Sequence, residues 1–555
     1  MNNKKETNDG KYQLFNFFLV NDVYKSLPYD KLLKADVTCE VYTLKPSNNI
    51  SGSFFIKKPT PNVPIWVDFA QSLVDKSINT LQNQLNSAVL IIKGNKATIA
   101  MTFGHGRHLL DMSYFVSDFG IKTALNTLDH DSLRGVDIVT LDEQGVHKKT
   151  QASRATGVEV FGIDIYKDLI RGVTGSPKFG VELSNISGSG TTFSFGKKIK
   201  ITEIPSLVDT VYKYYNSTDY KKSFSWVDNI RRLEEKKDTD PLNIALVDEL
   251  KKTNPDIIIS IPEMLDWDKT TGFSFTRNKS KIKPTIEYKD YLEKLDKTNL
   301  SVDTLKKDRL FVFNDTEDEG ELHFKLYDCL YFEVKKLGKT YILFSGAWYE
   351  IADNFVQEID NTLDEINISS LDFPEVFTWK EICTKGKNKG KTVERIEEEG
   401  NYNTRTSKEK KYYLLDKKLI KSSKSTTSIE LCDLLTDNRQ FIHVKHKKGG
   451  SAGLSHLFAQ GNVSAEIMLG DKQFRIAARR ELAKISKKIE DLVPLNKVDS
   501  RKIEIVFLIL GDDSKVMKKN LPFFSKVNLA KTYENLSQKG FTVTIAGAGK
   551  KEKKP

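Results

Sequence analysis

Three residues whose side chains can do phosphate chemistry, Glu399, Asp433 and Lys445, fall within one stretch of short apolar segments and polar turns. Carboxylate oxygens are the ligands that a hard cation such as Mg²⁺ takes in proteins. A lysine ammonium beside such a cation stabilises negative charge that develops on a phosphate. His443 lies two residues before the lysine, and its ordinary pKa near neutrality makes it a candidate proton carrier. These residue types indicate metal-assisted phosphodiester hydrolysis.

The segments around these residues are predicted to be three short strands between two helices. Residues 412–420, 428–435 and 440–445 alternate or run apolar and are separated by polar turns, which is typical of strands. The stretches that contain Glu399 and Gln460 have a helical pattern. This order gives one acid on a helix, one acid on the second strand, and a lysine at the end of the third strand.

This arrangement resembles the core of PD-(D/E)xK nucleases. The resemblance implies that Glu399 and Asp433 hold Mg²⁺ and that Lys445 orients or activates the attacking water. It also implies that Gln460 contacts the metal site or a phosphate, although an ordinary amide on a helix surface explains this residue equally well.

The pattern departs from that family at one position. The residue two before the lysine is normally acidic, whereas here it is His443, so the motif is D-x(11)-K with H-x-K in place of E-x-K. Glu430 lies three residues before Asp433 and is expected on the opposite face of the same strand, because side chains alternate along a strand. An ordinary sheet with a solvated lysine remains the alternative.

Length and composition predict several domains. A chain of 555 residues, 39% of them hydrophobic, is too long for one core. The pattern of elements predicts an α/β protein with an N-terminal α+β domain over 1–203 and a middle mixed α/β domain over 204–375. A basic C-terminal domain over 376–555 is predicted to be a mixed sheet flanked by helices, restriction-endonuclease-like in fold.

The sequence predicts a cytoplasmic protein without membrane insertion. It has no apolar run of membrane-spanning length, and its first residues, M-N-N-K-K-E-T-N-D-G, lack the apolar segment of a signal peptide. The four cysteines are scattered and form no C-x-x-C pair. This spacing argues for a reducing compartment and against structural zinc or disulfides.

Positive charge is concentrated in the last third of the chain. Residues 401–555 contain 32 Lys and Arg and 16 Asp and Glu, so they carry +16, while the preceding residues carry −5. A basic domain on a mildly acidic body predicts contact with nucleic acid; a solvated lysine-rich surface is the alternative. The candidate contacts are Lys385, Lys387, Lys389, Lys447, Lys448, Arg475 and Arg479.

A glycine-flanked motif, F-G-H-G-R at 103–107, is a second candidate for anion binding. Backbone N–H groups of such a loop can cradle an anion, so His105 and Arg107 are candidate contacts for nucleic acid or another ligand. The motif lacks the lysine and hydroxyl residue of a P-loop, and a tight turn after a strand also explains the glycines. The Gly/Ser-rich stretch 184–196 is predicted to be a flexible surface loop.

Several longer motifs resemble a sporadically distributed bacterial family of similar length whose domain has no assigned function. These motifs are F-G-H-G-R-H-L-L at 103–110, F-G-I-K-T-A-L-N at 119–126, S-G-A-W-Y-E-I at 345–351, E-L-C-D-L-L at 430–435 and the H-V-K to A-Q-G stretch at 443–461. The family is found near mobile-element and phage-defence genes. The resemblance implies a genome-defence setting, with H-x-K as the family's own variant of the motif.

Three functions follow as hypotheses. The first is a phage-defence nuclease that binds nucleic acid, with DNA favoured over RNA, and cleaves it with Mg²⁺. The second is a catalytically silent subunit that binds nucleic acid or senses phage and acts with a second defence protein, as a homo-oligomer or otherwise. The third is a toxin or signalling enzyme that uses the 103–107 loop for a nucleotide. Solvent-open carboxylates of Glu399 and Asp433 at one site would favour the first.

Overall fold

We describe the fold from a computed structural model. The residues described are 11–58, 61–64, 66–141, 145–252, 255–265, 267, 270–277, 282–286, 290–291, 299–314, 322–382, 392–422, 428–447 and 450–553. None of the helices in these ranges is long and apolar enough to cross a membrane.

The N-terminal part is a ten-stranded antiparallel sheet with the strand order β2-β3-β4-β5-β1-β10-β9-β8-β6-β7. Aromatic residues at alternate positions of β1 and β10, among them Phe15, Phe17, Phe193 and Phe195, point to one face and form its core. The helices here are α1 Trp66–Gln71 and α2 Phe119–Thr127. The strands are β1 Lys11–Leu19, β2 Glu40–Tyr42, β3 Ser51–Lys57, β4 Ser87–Lys93, β5 Thr98–Gly104, β6 Leu128–Thr140, β7 Val146–Thr156, β8 Asp168–Pro177, β9 Ser184–Ser189 and β10 Thr192–Ile199.

Two smaller antiparallel sheets form the middle of the chain, in the orders β11-β18-β17-β16-β12 and β13-β14-β15. The helices are α3 Ile204–Tyr215, α4 Lys221–Phe224, α5 Lys236–Lys251, α6 Val302–Lys307 and α7 Asp353–Glu365. The strands are β11 Ile230–Arg232, β12 Ile258–Ile259, β13 Thr270–Ser274, β14 Arg309–Asn314, β15 Leu322–Lys325, β16 Leu330–Lys336, β17 Lys339–Phe344 and β18 Ala347–Ile351.

The C-terminal part is built around a six-stranded mixed sheet in the order β19-β28-β27-β26-β25-β22. The helices are α8 Glu399–Lys410, α9 Gly450–Gly470, α10 Lys472–Ile485, α11 Met517–Asn520 and α12 Phe523–Gln538. The strands are β19 Asn367–Ile368, β20 Val376–Ile382, β21 Thr392–Ile396, β22 Tyr413–Leu414, β23 Leu419–Ile420, β24 Ile429–Glu430, β25 Leu434–Leu435, β26 Gln440–His446, β27 Glu504–Leu510, β28 Thr542–Ala548 and β29 Lys550–Glu552.

Strand β27 lies in the middle of this sheet, parallel to β26 and β28. Its sequence E-I-V-F-L-I-L places apolar side chains on both faces of the strand, and helices cover both faces. Phe507 packs among residues of α9 and α12 on one face, and Val506 and Leu508 pack with Tyr402 of α8 on the other. The predicted mixed sheet flanked by helices is therefore present, and the chain as a whole is α/β.

The predicted strands beside it are shorter than expected. Residues 412–420 split into β22 and β23, and residues 428–435 split into β24 and β25. Only β22 and β25 join the central sheet, whereas β23 and β24 pair with each other. Residues 431–433 lie between β24 and β25 and belong to neither strand, and the candidate site residue Asp433 is one of them.

Hydrophobic contacts cross the predicted divisions after residues 203 and 375. Leu207, Val208 and Val211 of α3 pack into the core of the N-terminal sheet. Phe355 and Ile359 of α7 share one hydrophobic cluster with the C-terminal helices. The divisions stay predictions as boundaries of independently folding units.

Candidate functional site

Three carboxylates converge at the edge of the central sheet, where β22 ends and β25 begins. Asp416, Glu430 and Asp433 each offer one oxygen, and these oxygens lie within 4.8 Å of one another. Backbone bonds fix the arrangement, because the N–H groups of Leu415 and Asp416 donate to the Asp433 carbonyl at 2.8 and 3.1 Å. We call these three residues the carboxylate cluster.

The presence of Glu430 in this cluster contradicts the expectation that it points away from Asp433. That expectation assumed one continuous strand through both residues. Strand β24 ends at Glu430 and β25 begins at Leu434, so the chain between them leaves the strand geometry and the alternation of faces does not apply.

Hydrogen bonds hold the two more buried carboxylates in place. Asp433 is only 3% exposed, and its Oδ2 accepts from the Val444 N–H at 2.8 Å. Glu430 accepts from Gln460 Nε2 of α9 at 2.7 Å and from the Lys417 N–H. Gln460, which was predicted to lie at the site, is thus joined to it through Glu430.

Burial and crowding both disfavour negative charge in the cluster. Burial, followed by the charge of Glu430, raises the pKa of Asp433 well above its ordinary value. Burial also raises the pKa of Glu430, and the charges of Asp416 and Glu399 add to this effect. A cation held by these oxygens would relieve the repulsion.

Glu399 and Lys445 form an ion pair beside the cluster. Lys445 Nζ lies 3.2 Å from Glu399 Oε1, and the two side chains are 33% and 27% exposed. Glu399 is the first residue of α8, and a Cβ placed on its neighbour Gly400 would lie 3.4 Å from Asp416 Oδ2. The start of α8 therefore adjoins the cluster, and Glu399 contacts the lysine while acting on the carboxylates by its charge.

The prediction that His443 carries a proton is wrong. Its imidazole is completely buried, and burial lowers its pKa to about 3. Its Nε2 lies 3.4 Å from Ser464 Oγ, and its ring packs beside Phe507. Although His443 and Lys445 share a strand face, the histidine lies deep under α9 and the lysine at the strand end. An imidazole sealed from solvent cannot reach a substrate to exchange a proton with it.

The predicted phosphate contact of Arg475 is also wrong, and that of Arg479, which is paired within the fold, stays a prediction. Arg475 is 5% exposed, and its guanidinium donates to the carbonyls of Met468, Leu469, Leu495 and Asn496. Arg479 pairs with Glu490 at 3.2 Å and Asp491 at 2.7 Å. Both guanidinium groups are used to join α10 to the chain around it.

The structure describes three of the remaining basic candidates. Lys447 pairs with Asp512 at 2.5 Å, and its contact with nucleic acid stays a prediction. The contacts assigned to His105 and Arg107 also stay predictions. Those two exposed residues follow the turn at Gly104, whose φ is +55°, at the start of a short 3-10 helix over Gly106–Leu109. The other lysines, 385, 387, 389 and 448, lie outside the described residues.

Asp416 is the site residue that sequence reasoning missed. The stretch 412–420 was interpreted as one strand, which hides a polar turn at D-K-K. Lys417 has a φ of +63°, a backbone conformation that interrupts a strand. Three consecutive charged residues between two short apolar runs were the signal that the segment turns at Asp416.

The fold and the site define a mixed α/β protein with a carboxylate cluster and a lysine–glutamate pair at one sheet edge. The chain belongs to a family of unknown function, DUF6119, whose model matches residues 15–549. This agrees with the predicted membership of a family whose domain has no assigned function. No curated protein and no solved structure gives a significant match to the chain.

Proposed function

We propose that this protein is a metal-dependent nuclease with a restriction-endonuclease-like core. The observation that carries the proposal is the convergence of Asp416, Glu430 and Asp433 within 4.8 Å of one another, beside the Lys445–Glu399 pair. Clustered oxygen ligands next to a cationic side chain are suited to binding and cleaving a phosphodiester.

The topology supports the same assignment. Helix α8 precedes β22, β25 and β26, which pair antiparallel in that order, and β27 then adds parallel to β26 after α9 and α10. The acid on the helix is Glu399, the acid beside the second sheet strand is Asp433, and the lysine near the end of the third is Lys445. These are the parts of the nuclease core that the sequence resembles.

The residues present fit a divalent cation such as Mg²⁺ or Mn²⁺. All three members of the cluster offer hard oxygen donors. Burial first, and the neighbouring carboxylates second, raise the pKa of Glu430 and of Asp433, and a bound cation would favour their ionised forms. In this proposal Glu430 supplies the carboxylate that His443 does not. A cation bound there would stabilise negative charge on the scissile phosphate.

The chain's own residues have distinct roles. Lys445, held by Glu399 and open to solvent on about one-third of its surface, is available to a phosphate oxygen and stabilises its charge. Gln460 and the Val444 N–H orient Glu430 and Asp433 through their hydrogen bonds. Removing either orienting group would loosen the cluster without removing a carboxylate.

The setting we propose is bacterial phage defence in the cytoplasm, with DNA as the substrate and a second defence protein as a candidate partner. The resemblance of the sequence motifs to a family near defence genes supports the setting. The cysteine spacing supports the compartment.

The test is cleavage of plasmid DNA, single-stranded DNA and RNA with Mg²⁺ or Mn²⁺, against a chelator control. We expect Asp433→Asn, Glu430→Gln and Asp416→Asn each to abolish or strongly reduce cleavage. Glu534→Gln, which changes an exposed acid on α12, serves as the matched control. Absence of cleavage of all three substrates with both metals, or full activity of the Asp433→Asn variant, would reject the proposal.

One observation favours a second candidate, a catalytically silent subunit that binds nucleic acid. Asp433 is only 3% exposed and its pKa is raised, whereas a metal ligand in a working site must be ionised and reachable. If the wild-type protein binds DNA or RNA but cleaves neither, this second function takes the place of the first.

A further inference from the structure

A cavity of about 1170 Å³ lies among α2, α3, β8 and β11. Its lining comes from the ends of these elements and from the loop after β1. No lining residue belongs to the carboxylate cluster or to any position beyond 349. The cavity is therefore a separate site from the proposed nuclease centre, and its volume is ample for a small-molecule ligand.

The cationic residues of the lining fall into two groups. Lys221 pairs with Asp228 at 2.9 Å, and Arg231 pairs with Glu350 at 3.3 Å. Arg107, Arg171 and Arg232 also line the cavity, yet they have no carboxylate partner within the described part of the chain. Three guanidinium groups without internal partners are available to an anionic ligand.

Three of the five acidic residues of the lining accept hydrogen bonds from other residues of the wall, and Asp22 and Asp137 are the other two. Asp118 accepts from the Tyr215 hydroxyl at 3.0 Å, Asp228 accepts from the Tyr220 hydroxyl at 2.6 Å, and Glu234 accepts from Ser117. These bonds tie the carboxylates to the wall, whereas the three arginines are not tied. The lining holds six Lys and Arg against five Asp and Glu, and the cations without a carboxylate partner among the described residues are the three arginines and Lys122, which lies 4.8 Å from the Tyr215 ring centroid.

The rest of the lining combines aliphatic, aromatic and neutral polar residues. Leu19, Val116, Ile121 and Leu125 contribute aliphatic surface, and tyrosine rings contribute flat surface. Ser345 adds a buried hydroxyl without a hydrogen-bond partner among the described residues. A ligand that matches this lining has a polyanionic end, a flat apolar part and polar groups between them.

Two glycine-rich motifs of the sequence meet at this cavity. Arg107, the last residue of the F-G-H-G-R turn, lines the cavity. A Cβ at Gly106 would lie 2.0 Å from the Ala88 carbonyl oxygen, so the turn needs glycine there. The start of α2 is held against the β9–β10 turn by the bond from the Gly120 N–H to the Gly190 carbonyl, at 2.7 Å. Both turns bring backbone close to the cavity wall, as ligand-binding turns do.

We propose that this cavity binds a phosphorylated nucleoside, with Arg107, Arg171 and Arg232 contacting the phosphates and the tyrosine-lined wall contacting the base. Guanidinium–phosphate contacts are strong and directional, and aromatic side chains stack on bases. The protein would thus carry a nucleotide site in addition to the carboxylate cluster.

The test is isothermal titration calorimetry of the full chain with each of the four ribonucleoside triphosphates, in chelator so that the carboxylate cluster holds no metal. We expect saturable binding of at least one nucleotide. Single Arg107→Gln, Arg171→Gln and Arg232→Gln changes should each weaken it about tenfold. Arg134→Gln, an exposed arginine of β6 outside the lining, is the matched control, and Asp433→Asn should leave the affinity unchanged.

Several results would overturn the proposal. Absence of binding of all four nucleotides at millimolar concentration would do so. Undiminished binding by all three single variants would show that the nucleotide binds at another site. An equal loss of affinity with Arg134→Gln would show that the binding is nonspecific. Equal affinity for pyrophosphate would show that the nucleoside is not recognised. Melting temperatures of the variants, compared with wild type, separate loss of binding from loss of fold.

Discussion

Replacing Asp433 by asparagine should stabilise the metal-free protein. The oxygens of the cluster lie within 4.8 Å of one another, and two unit charges at that limit repel by roughly 3.5 kcal/mol at an effective dielectric constant of about 20. Solvent reaches the other two carboxylates in part, and we expect screening to leave about 2 kcal/mol. Asparagine has nearly the same shape and keeps an oxygen that accepts from the Val444 N–H, so the change removes charge and little else.

The pH dependence follows from the raised pKa values of Asp433 and Glu430. Between the unfolded and the folded pKa of such a carboxyl, the folded protein binds more protons than the unfolded chain. The free energy of unfolding therefore falls as pH rises through that window. The increase in the free energy of unfolding that Asp433→Asn brings should be largest at a pH above the folded pKa. It should shrink as the pH is lowered toward the unfolded pKa.

Thermal unfolding followed by fluorescence is the assay, at pH 8 and at pH 5, each with chelator and with Mg²⁺ or Mn²⁺. At pH 8 in chelator the variant should melt at a higher temperature than wild type. Added metal should raise the melting temperature of wild type and raise that of the variant less, because binding to the folded state stabilises it. Glu534→Gln should resemble wild type throughout. A variant that melts lower in chelator, or that gains as much from metal as wild type, would refute the assignment of a repulsive metal-binding cluster.

Three further predictions concern neighbouring residues. Lys445→Ala should reduce cleavage by about 10²–10³-fold with nucleic-acid affinity unchanged in a gel-shift assay, while Lys484→Ala serves as the control. His443→Glu, which restores the usual nuclease motif, should lower the melting temperature and the activity, because it buries a carboxylate at a fully buried position; higher activity would contradict the buried placement. Arg475→Met should lower the free energy of unfolding by about 3 kcal/mol, measured by urea unfolding, because it leaves carbonyls unpaired. The same change should leave DNA affinity intact. Weakened DNA binding without loss of stability would show that Arg475 is exposed and contacts DNA.

Local pattern was sufficient to predict the centre of the C-terminal sheet. The run of apolar residues in β27 indicates a strand covered on both faces, and the structure has it there. The carboxylate cluster was not predictable in the same way. Its geometry depends on the pairing of Leu415 and Asp416 with the Asp433 carbonyl, a contact between segments that are distant in sequence, and strand alternation does not contain it.

The Gly/Ser-rich stretch 184–196 was interpreted from composition as a flexible loop, and this was wrong. It forms the β9–β10 hairpin, with Ile186 and Phe193 buried. A Cβ at Gly188 would lie 2.2 Å from the Gly120 carbonyl and 2.5 Å from Ala124 Cβ. Glycine is needed at this position because α2 packs directly on the strand. The small residues of this stretch therefore indicate close packing of a helix on the strand and do not indicate mobility.

The net charge of the last third overstates the positive surface that nucleic acid can meet. Lys526 is buried and pairs with Asp360 of α7 at 2.6 Å, and Lys518 donates to the carbonyls at the end of the same helix. Arg475 and Arg479 are used inside the fold, as described above. Arg475 and Arg479 join elements within the C-terminal part, and Lys518 and Lys526 bind it to α7. Helix α7 belongs to the part of the chain before residue 401, which has a net negative charge. A charge count treats every lysine and arginine as solvated, whereas burial shows which of them are already paired. The proposal of a nuclease therefore depends on the geometry of three carboxylates and one lysine, and not on the basic composition that first suggested a nucleic-acid partner.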